Sequence, residues 1–264
     1  MTKKIPWLEF KNVDAWIDNK KIIEGLNLAL NATENTVIIG PNGSGKSSIV
    51  KLIDRSIYPV VKKDSHIKFF GREKISLWDI RSKIGFLSTD YEYRIKNNQN
   101  VYNVISSGLY GSFSKIGKRK ICNEEIEKVM IIINRLNLDD YKNQLFHKLS
   151  DGLKRMVLIG RSLVHDPKML ILDEPECRLD LKSKYSVIEF LEKISESGTT
   201  IIQITHNIET ILKSTKRIIL LKDGKVIGDG SPNACLTDKK ISSLFETPLL
   251  VTNNNGYWQI FPAI

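Results

Sequence analysis

Apolar and polar positions alternate at the start of the chain. Leu8 and Phe10 face one way and Glu9 and Lys11 the other, which predicts a strand over Trp7–Val13. Asp18-Asn19 reads as a turn and Ile22–Leu30 as a second strand. Thr36-Val37-Ile38-Ile39 is short, β-branched and apolar, the pattern of a buried strand. After residue 47 the period changes: Ile49, Val50, Leu52 and Ile53 recur at helical spacing. Ile67–Phe70 and Ile84–Leu87 return to strand. Between them Ser76 is placed to cap a short helix through Leu77, Trp78 and Ile80.

The middle of the chain is helical. Val101–Ser107 reads as helix and Gly108–Gly117 as loop. Asn123–Leu136 lines Ile126, Val129, Met130, Ile133 and Leu136 along one face. A further helix opens at Leu149-Ser150-Asp151-Gly152, carries Leu153, Met156, Val157, Gly160, Leu163 and Val164 inward, and stops at Pro167. Residues 93–165 are therefore expected as a helical block inserted in an α/β frame. Met169–Leu172 is a fully apolar strand, followed by a helix over Leu181–Ser197 and a strand over Thr200–Ile204. Ile218–Leu221 and Val226-Ile227, joined across Asp223-Gly224, predict a hairpin. Ser231-Pro232 is the N-cap and first-turn proline of a last helix. The fold class is α/β with a flanking antiparallel β portion. The expected division is one α/β domain over 1–245 and an Asn-rich tail over 246–264.

Composition narrows this modestly. The chain has 264 residues, a usual apolar content and no apolar run near the roughly 20 residues that span a bilayer. Met1–Trp7 has no apolar core of signal-peptide length. Cys122, Cys177 and Cys235 are odd in number and far apart, which suggests reduced thiols in the cytoplasm; neither they nor the four histidines have metal-ligand spacing. The net charge of +10 is spread out, with clusters at Lys62-Lys63, Lys115–Lys120 and Lys239-Lys240. It is compatible with ordinary surface basicity, with an anionic membrane face and with nucleic acid, and does not choose among them.

The chemistry is concentrated in Gly40-Pro41-Asn42-Gly43-Ser44-Gly45-Lys46-Ser47, which fits G-x-x-x-x-G-K-[ST] between a strand and a helix. Such a match arises by chance in roughly one chain per hundred of this length, before the strand–loop–helix context is counted. Gly40, Gly43 and Gly45 let backbone N–H groups approach phosphate oxygens. The helix N-terminus at Ser47-Ser48 adds donors and partial positive charge. Lys46 brings a full charge to the β- and γ-phosphates, and the Ser47 hydroxyl is placed to ligate Mg²⁺. The acids Asp173-Glu174 end an apolar strand, where ligands bind in open α/β sheets. Asp173 can hold Mg²⁺ through water, and Glu174 can align the attacking water. Trp16 either stacks on adenine or belongs to a hydrophobic cluster.

With these residues in place the chain resembles the ATP-binding cassette (ABC) ATPases over nearly its whole length. Leu149-Ser150-Asp151-Gly152 is similar to their signature motif, Asp173-Glu174-Pro175 to the Walker B strand end, Leu179-Asp180 to the D-loop and His206 to the switch histidine. The resemblance implies a P-loop NTPase fold of ABC type. It implies head-to-tail pairing, with ATP and Mg²⁺ held between one copy's phosphate loop and Ser150 and Gly152 of the other, near Asp180. Glu174 and His206 are then the catalytic pair. There are departures: Asp151 stands for a usual glycine, Leu153 for a glutamine, and Glu176-Cys177-Arg178 for small residues. The family's aromatic position falls nearest Ile17, one from Trp16. The usual glutamine after the strand at 84–87 is missing. Thr89 or Ser88 offers a hydroxyl to the metal there, and Glu92 is near in sequence. The signature helix, the Walker B segment and Phe245-Glu246-Thr247-Pro248 look closest to a soluble subgroup met near molybdate transport.

The expected function is an ATP-hydrolysing subunit paired with a copy or a similar subunit, coupled to a separate transmembrane permease at the inner face of the membrane. No nucleic-acid partner is expected. The alternative is a stand-alone soluble ATPase in translation, DNA repair or regulation. A single phosphate loop and no long heptad run set this chain apart from two-cassette and coiled-coil relatives. A kinase or GTPase would leave the signature and His206 unexplained.

Overall fold

The computed structural model describes residues 5–113 and 122–263; the basic run over 115–120 and the first four residues lie outside them. The chain opens with β1 (Leu8–Ile17), β2 (Lys20–Leu30), β3 (Thr36–Ile39), α1 (Lys46–Ile53) and β4 (His66–Phe69). It continues with α2 (Leu77–Lys83), β5 (Ile84–Leu87), α3 (Tyr91–Arg94), α4 (Val101–Ser107), α5 (Asn123–Arg135) and α6 (Asp151–Leu163). The last part holds β6 (Met169–Asp173), α7 (Leu181–Glu196), β7 (Thr200–Thr205), β8 (Arg217–Lys222), β9 (Lys225–Gly230), α8 (Pro232–Cys235), α9 (Asp238–Phe245), β10 (Leu249–Asn254) and β11 (Tyr257–Pro262).

The central sheet runs β5-β6-β7-β3-β8-β9, with its first five strands parallel and β9 antiparallel to β8. Burial explains the apolar runs: β3, β5, β6 and β7 are buried at every position, as parallel strands covered on both faces must be. The antiparallel sheet β2-β1-β4 flanks it. β1 runs four residues past the expected Val13, because register shifts between Phe10 and Trp16 absorb the break in its alternation. Between β5 and β6 the described residues hold only helices, with α4 and α5 packed on α6. Ser76 caps α2, accepting from Asp79 N, as the sequence predicts.

Two differences stand at the C-terminal end. The helix expected from Ser231-Pro232 is a single turn, α8; a second cap at Thr237 starts α9. The stretch after residue 246 forms a hairpin. Val251 pairs with Ile260 and Asn253 with Trp258, and the inward set Leu249, Val251, Trp258 and Ile260 packs on a second core holding Ile208, Ile211, Ile241 and Leu244. Its turn, Asn255-Gly256, has positive φ at both positions, the two-residue connection that matches strand twist.

Candidate active site

The phosphate loop leaves β3 at Gly40 and enters α1 at Lys46. Gly40 is obligatory: a Cβ there would lie 2.2 Å from the Leu221 carbonyl and 2.5 Å from Ser44 Oγ. Gly45 is the N-cap of α1 at φ 99°, and a Cβ would meet Ile23 Cδ1 at 2.8 Å. The loop backbone therefore lies close against β2 and the end of β8. Lys46 is buried and donates from Nζ to the Gly40 and Pro41 carbonyls at 2.8 and 2.9 Å. Burial pulls its pKa down, while Glu174 and Asp173 pull it up. The lysine thus stays beside two carboxylates, poised over the loop. Ser44 donates its N–H to Pro41 O, and its hydroxyl is buried with no partner.

Asp173 ends β6 and is 2% exposed. Burial raises its pKa to about 6; a hydrogen bond from Ser47 opposes the shift, and the neighbouring Glu174 carboxylate adds to it. Its Oδ1 is buried without a partner. An orphaned carboxylate oxygen next to a serine hydroxyl is an all-oxygen donor set, and it fits a hard divalent cation. Asp90, after β5, also acts on Asp173 electrostatically, a neighbour the sequence did not single out. Thr89 lies half-buried in the same turn, with no hydrogen bond of its side chain among the described residues. Glu92 points elsewhere: it ion-pairs with Lys154 of α6 at 3.3 Å.

Glu174 takes a left-handed conformation, φ 49°, and donates its N–H to the Ile204 carbonyl at 2.8 Å, which ties the end of β6 to β7. His206 follows β7. Its Nδ1 lies 2.8 Å from Glu174 Oε1, and since a carboxylate only accepts, Nδ1–H is the donor. A cleft of about 500 Å³ opens here, lined by Ile17, Lys20, Asn42, Lys46, Ser47 and Glu174 among others. Trp16, weighed above as an adenine stack, is half exposed and pairs with Lys21; Ile17 takes the lining position. Successive strand residues face opposite ways, and here it is Ile17 that faces the cleft.

Ser150, Gly152 and Asp180 form a second group. Ser150 caps α6, accepting from Leu153 N at 3.4 Å. Asp180 caps α7, accepting from Ser183 N at 2.8 Å, and Ser183 crowds Gly152 so closely that a Cβ there would lie 2.4 Å from its hydroxyl. Asp151 turns to Lys154 at 3.3 Å. Among the described residues no hydrogen bond or ion pair joins this group to the phosphate loop of the same chain.

A phosphate cradle at the C-terminal edge of a parallel sheet, with an acid pair and a histidine facing it, defines a P-loop nucleoside triphosphatase. Residues 23–176 match the family model described as ABC transporter. YlmA, an ABC transporter ATP-binding protein of Bacillus subtilis, is 30% identical over 94% of each chain. A putative ABC transporter ATP-binding protein of Caldanaerobacter subterraneus subsp. tengcongensis is 31% identical over 88% of this chain and 95% of its own. Among solved structures, cbiO1 of Clostridium perfringens, part of the ABC transporter complex cbiONQ, superposes with a TM-score of 0.74. It is 26% identical over 90% of this chain and 93% of that one. The chain belongs to the ABC transporter family, as an ATP-binding and ATP-hydrolysing subunit.

Proposed function

We propose that two copies, or one copy and a similar subunit, pair head to tail. MgATP then lies between Gly40–Ser48 of one chain and the Ser150–Gly152 helix start of the other, with Asp180 beside it. The observation that carries this is the separation just described. Ser150 opens α6 and Asp180 opens α7, helix starts of the kind that favour anions, yet neither is bonded to its own chain's phosphate loop. Ser47 and Asp173 hold Mg²⁺, directly or through water, and Thr89 is the candidate third oxygen. Bound there, Mg²⁺ would supply charge neutralisation to the transferred phosphoryl group. Glu174 Oε1 orients the attacking water and accepts from it. His206 holds Glu174 in place by its Nδ1–H and turns its other nitrogen toward the γ-phosphate. Lys46 leaves the Gly40 and Pro41 carbonyls to bind the β- and γ-phosphates. Residues 1–245 form the catalytic unit, 93–165 its helical part, and 246–264 an appended hairpin. The pair works at the inner face of a membrane through a separate permease. Glu174→Gln tests the assignment: it should keep ATP binding and lose about 10²- to 10⁴-fold in steady-state turnover. Wild-type turnover in this variant would remove Glu174 from the role.

A further inference from the structure

A second carboxylate follows Glu174 by two residues and has no place in the chemistry above. Glu176 is 8% exposed. Its Oε1 accepts from the Thr205 hydroxyl and, at 3.1 Å, from that of Thr210. These threonines stand on either side of His206 in the chain. Thr205 Oγ1 also accepts the Asn207 N–H at 2.8 Å. Residues 205 and 207 are therefore both referred to one carboxylate oxygen. Thr210 has a second acceptor in reach, the Asn207 carbonyl at 2.8 Å, and Gln203 donates to the Thr210 carbonyl at 3.0 Å. The whole turn after β7 hangs on this network.

The other end of the loop is held as firmly. Arg155 of α6 is 6% exposed and donates Nη2 to the Cys177 carbonyl at 3.2 Å. Burial lowers its pKa, and the charges of Glu92 and Glu176 support its cation. The loop from Glu174 to Asp180 is thus pinned to the helix that Ser150 opens and to the turn that carries His206.

We propose that Glu176 is a positioning residue for hydrolysis. It fixes His206 at bonding distance from Glu174 by tying the loop after β6 to the turn after β7. The inference rests on the roles given above to Glu174 and His206. Without the carboxyl, two hydroxyls lose a shared acceptor. The turn relaxes, and a displacement of about 1 Å at a catalytic group costs up to roughly 10²-fold in rate. ATP is held mainly by the phosphate loop, and this turn offers it His206 alone, so affinity should change little.

The test is steady-state ATPase kinetics on Glu176→Ala, Glu176→Gln, Thr205→Val, His206→Ala and the double variant Glu176→Ala/His206→Ala, each with a thermal melt. Glu176→Ala and Thr205→Val should lose about 10- to 100-fold in kcat with KM for ATP changed less than about threefold. Glu176→Gln keeps one acceptor oxygen and should recover to within about threefold of wild type. The double variant should be no slower than His206→Ala alone, because both changes act through one imidazole. Wild-type kcat in both Glu176→Ala and Thr205→Val would overturn the proposal. So would losses that multiply in the double variant, or a kcat that merely follows the folded fraction. Wild-type turnover in His206→Ala would be a different failure: it would remove the role of His206 and this inference with it.

Discussion

Lys46 shows how a single charge is held ready. Its Nζ is buried, satisfied by two loop carbonyls and drawn to Asp173 and Glu174. Exchanging carbonyls for phosphate oxygens turns two neutral acceptors into charged ones, a stronger hydrogen bond at each. Lys46→Ala removes that gain, and loss of one partner from a buried charged pair costs about 2–5 kcal/mol. ATP affinity should fall roughly 30-fold or more by calorimetry, with the melting temperature little changed. His206→Ala should leave ATP affinity within a fewfold and lower turnover strongly. Unchanged turnover would mean that the 2.8 Å contact with Glu174 is only structural. At this scale the sequence was legible where chemistry is local. Gly40–Ser47 carries its own geometry, and Asp173-Glu174 follows an apolar strand. Trp16 was not legible, because the register shifts in β1 reset which residues face the cleft. The Glu176 network was signalled only by Gln203, an amide set among Ile201, Ile202 and Ile204 in β7, since its partners lie 29 and 34 residues apart in sequence.

Elements differ in how much of their stability the sequence declares. Asp14 in β1 is an electrostatic clamp: Lys62 at 2.8 Å and Lys21 at 3.2 Å ion-pair with it, and Gly25 donates its N–H. Burial works against its ionisation, but these three partners win and hold its pKa down at about 2. A carboxylate depressed below its ordinary value of 3.8 contributes stability that is complete above that pH. The contribution is lost as pH falls through about 2. Asp14→Asn should therefore lower the melting temperature at pH 7 and flatten its decline between pH 4 and 2; parallel wild-type and variant curves would refute the clamp. The terminal hairpin is anchored instead by packing. Trp258 is 8% exposed in the second core, and a large aromatic truncated to alanine in such a site costs about 3–5 kcal/mol. Trp258→Ala should show that loss in denaturant titration, while ATP affinity stays put. In sequence the hairpin reads as a tail because Asn253, Asn254 and Asn255 dilute its alternation. Yet Asn255-Gly256 is the same kind of signal as Asp223-Gly224, which turns β8 into β9.

For the whole molecule, one feature at first sight awkward becomes consistent. A chain of net charge +10 places Asp151 at the helix start to which the proposed pairing brings an anion. Asp151 is 3.3 Å from Lys154, which also pairs with Glu92, so its charge is spent sideways and the helix start stays open. The buried strands of the α/β core were readable because each is short, apolar and bounded by its motif, whereas their order in the sheet was not. The relation of Ser150 to the phosphate loop is not legible either, because the pairing proposed above takes it from a second chain. That relation can be isolated with one substitution. Aspartate is as good an N-cap as serine, so Ser150→Asp should keep α6 capped and the fold intact. It also sets a negative charge against the γ-phosphate of the opposite copy, where like charges are costly. In a Glu174→Gln background, sedimentation should show the mass doubling with MgATP. Adding Ser150→Asp should abolish the doubling while ATP affinity stays within about threefold, since each chain's own loop still binds the nucleotide. Doubling that survives Ser150→Asp would place the partner's contact elsewhere, and affinity lost along with it would mean that Ser150 serves its own chain's site.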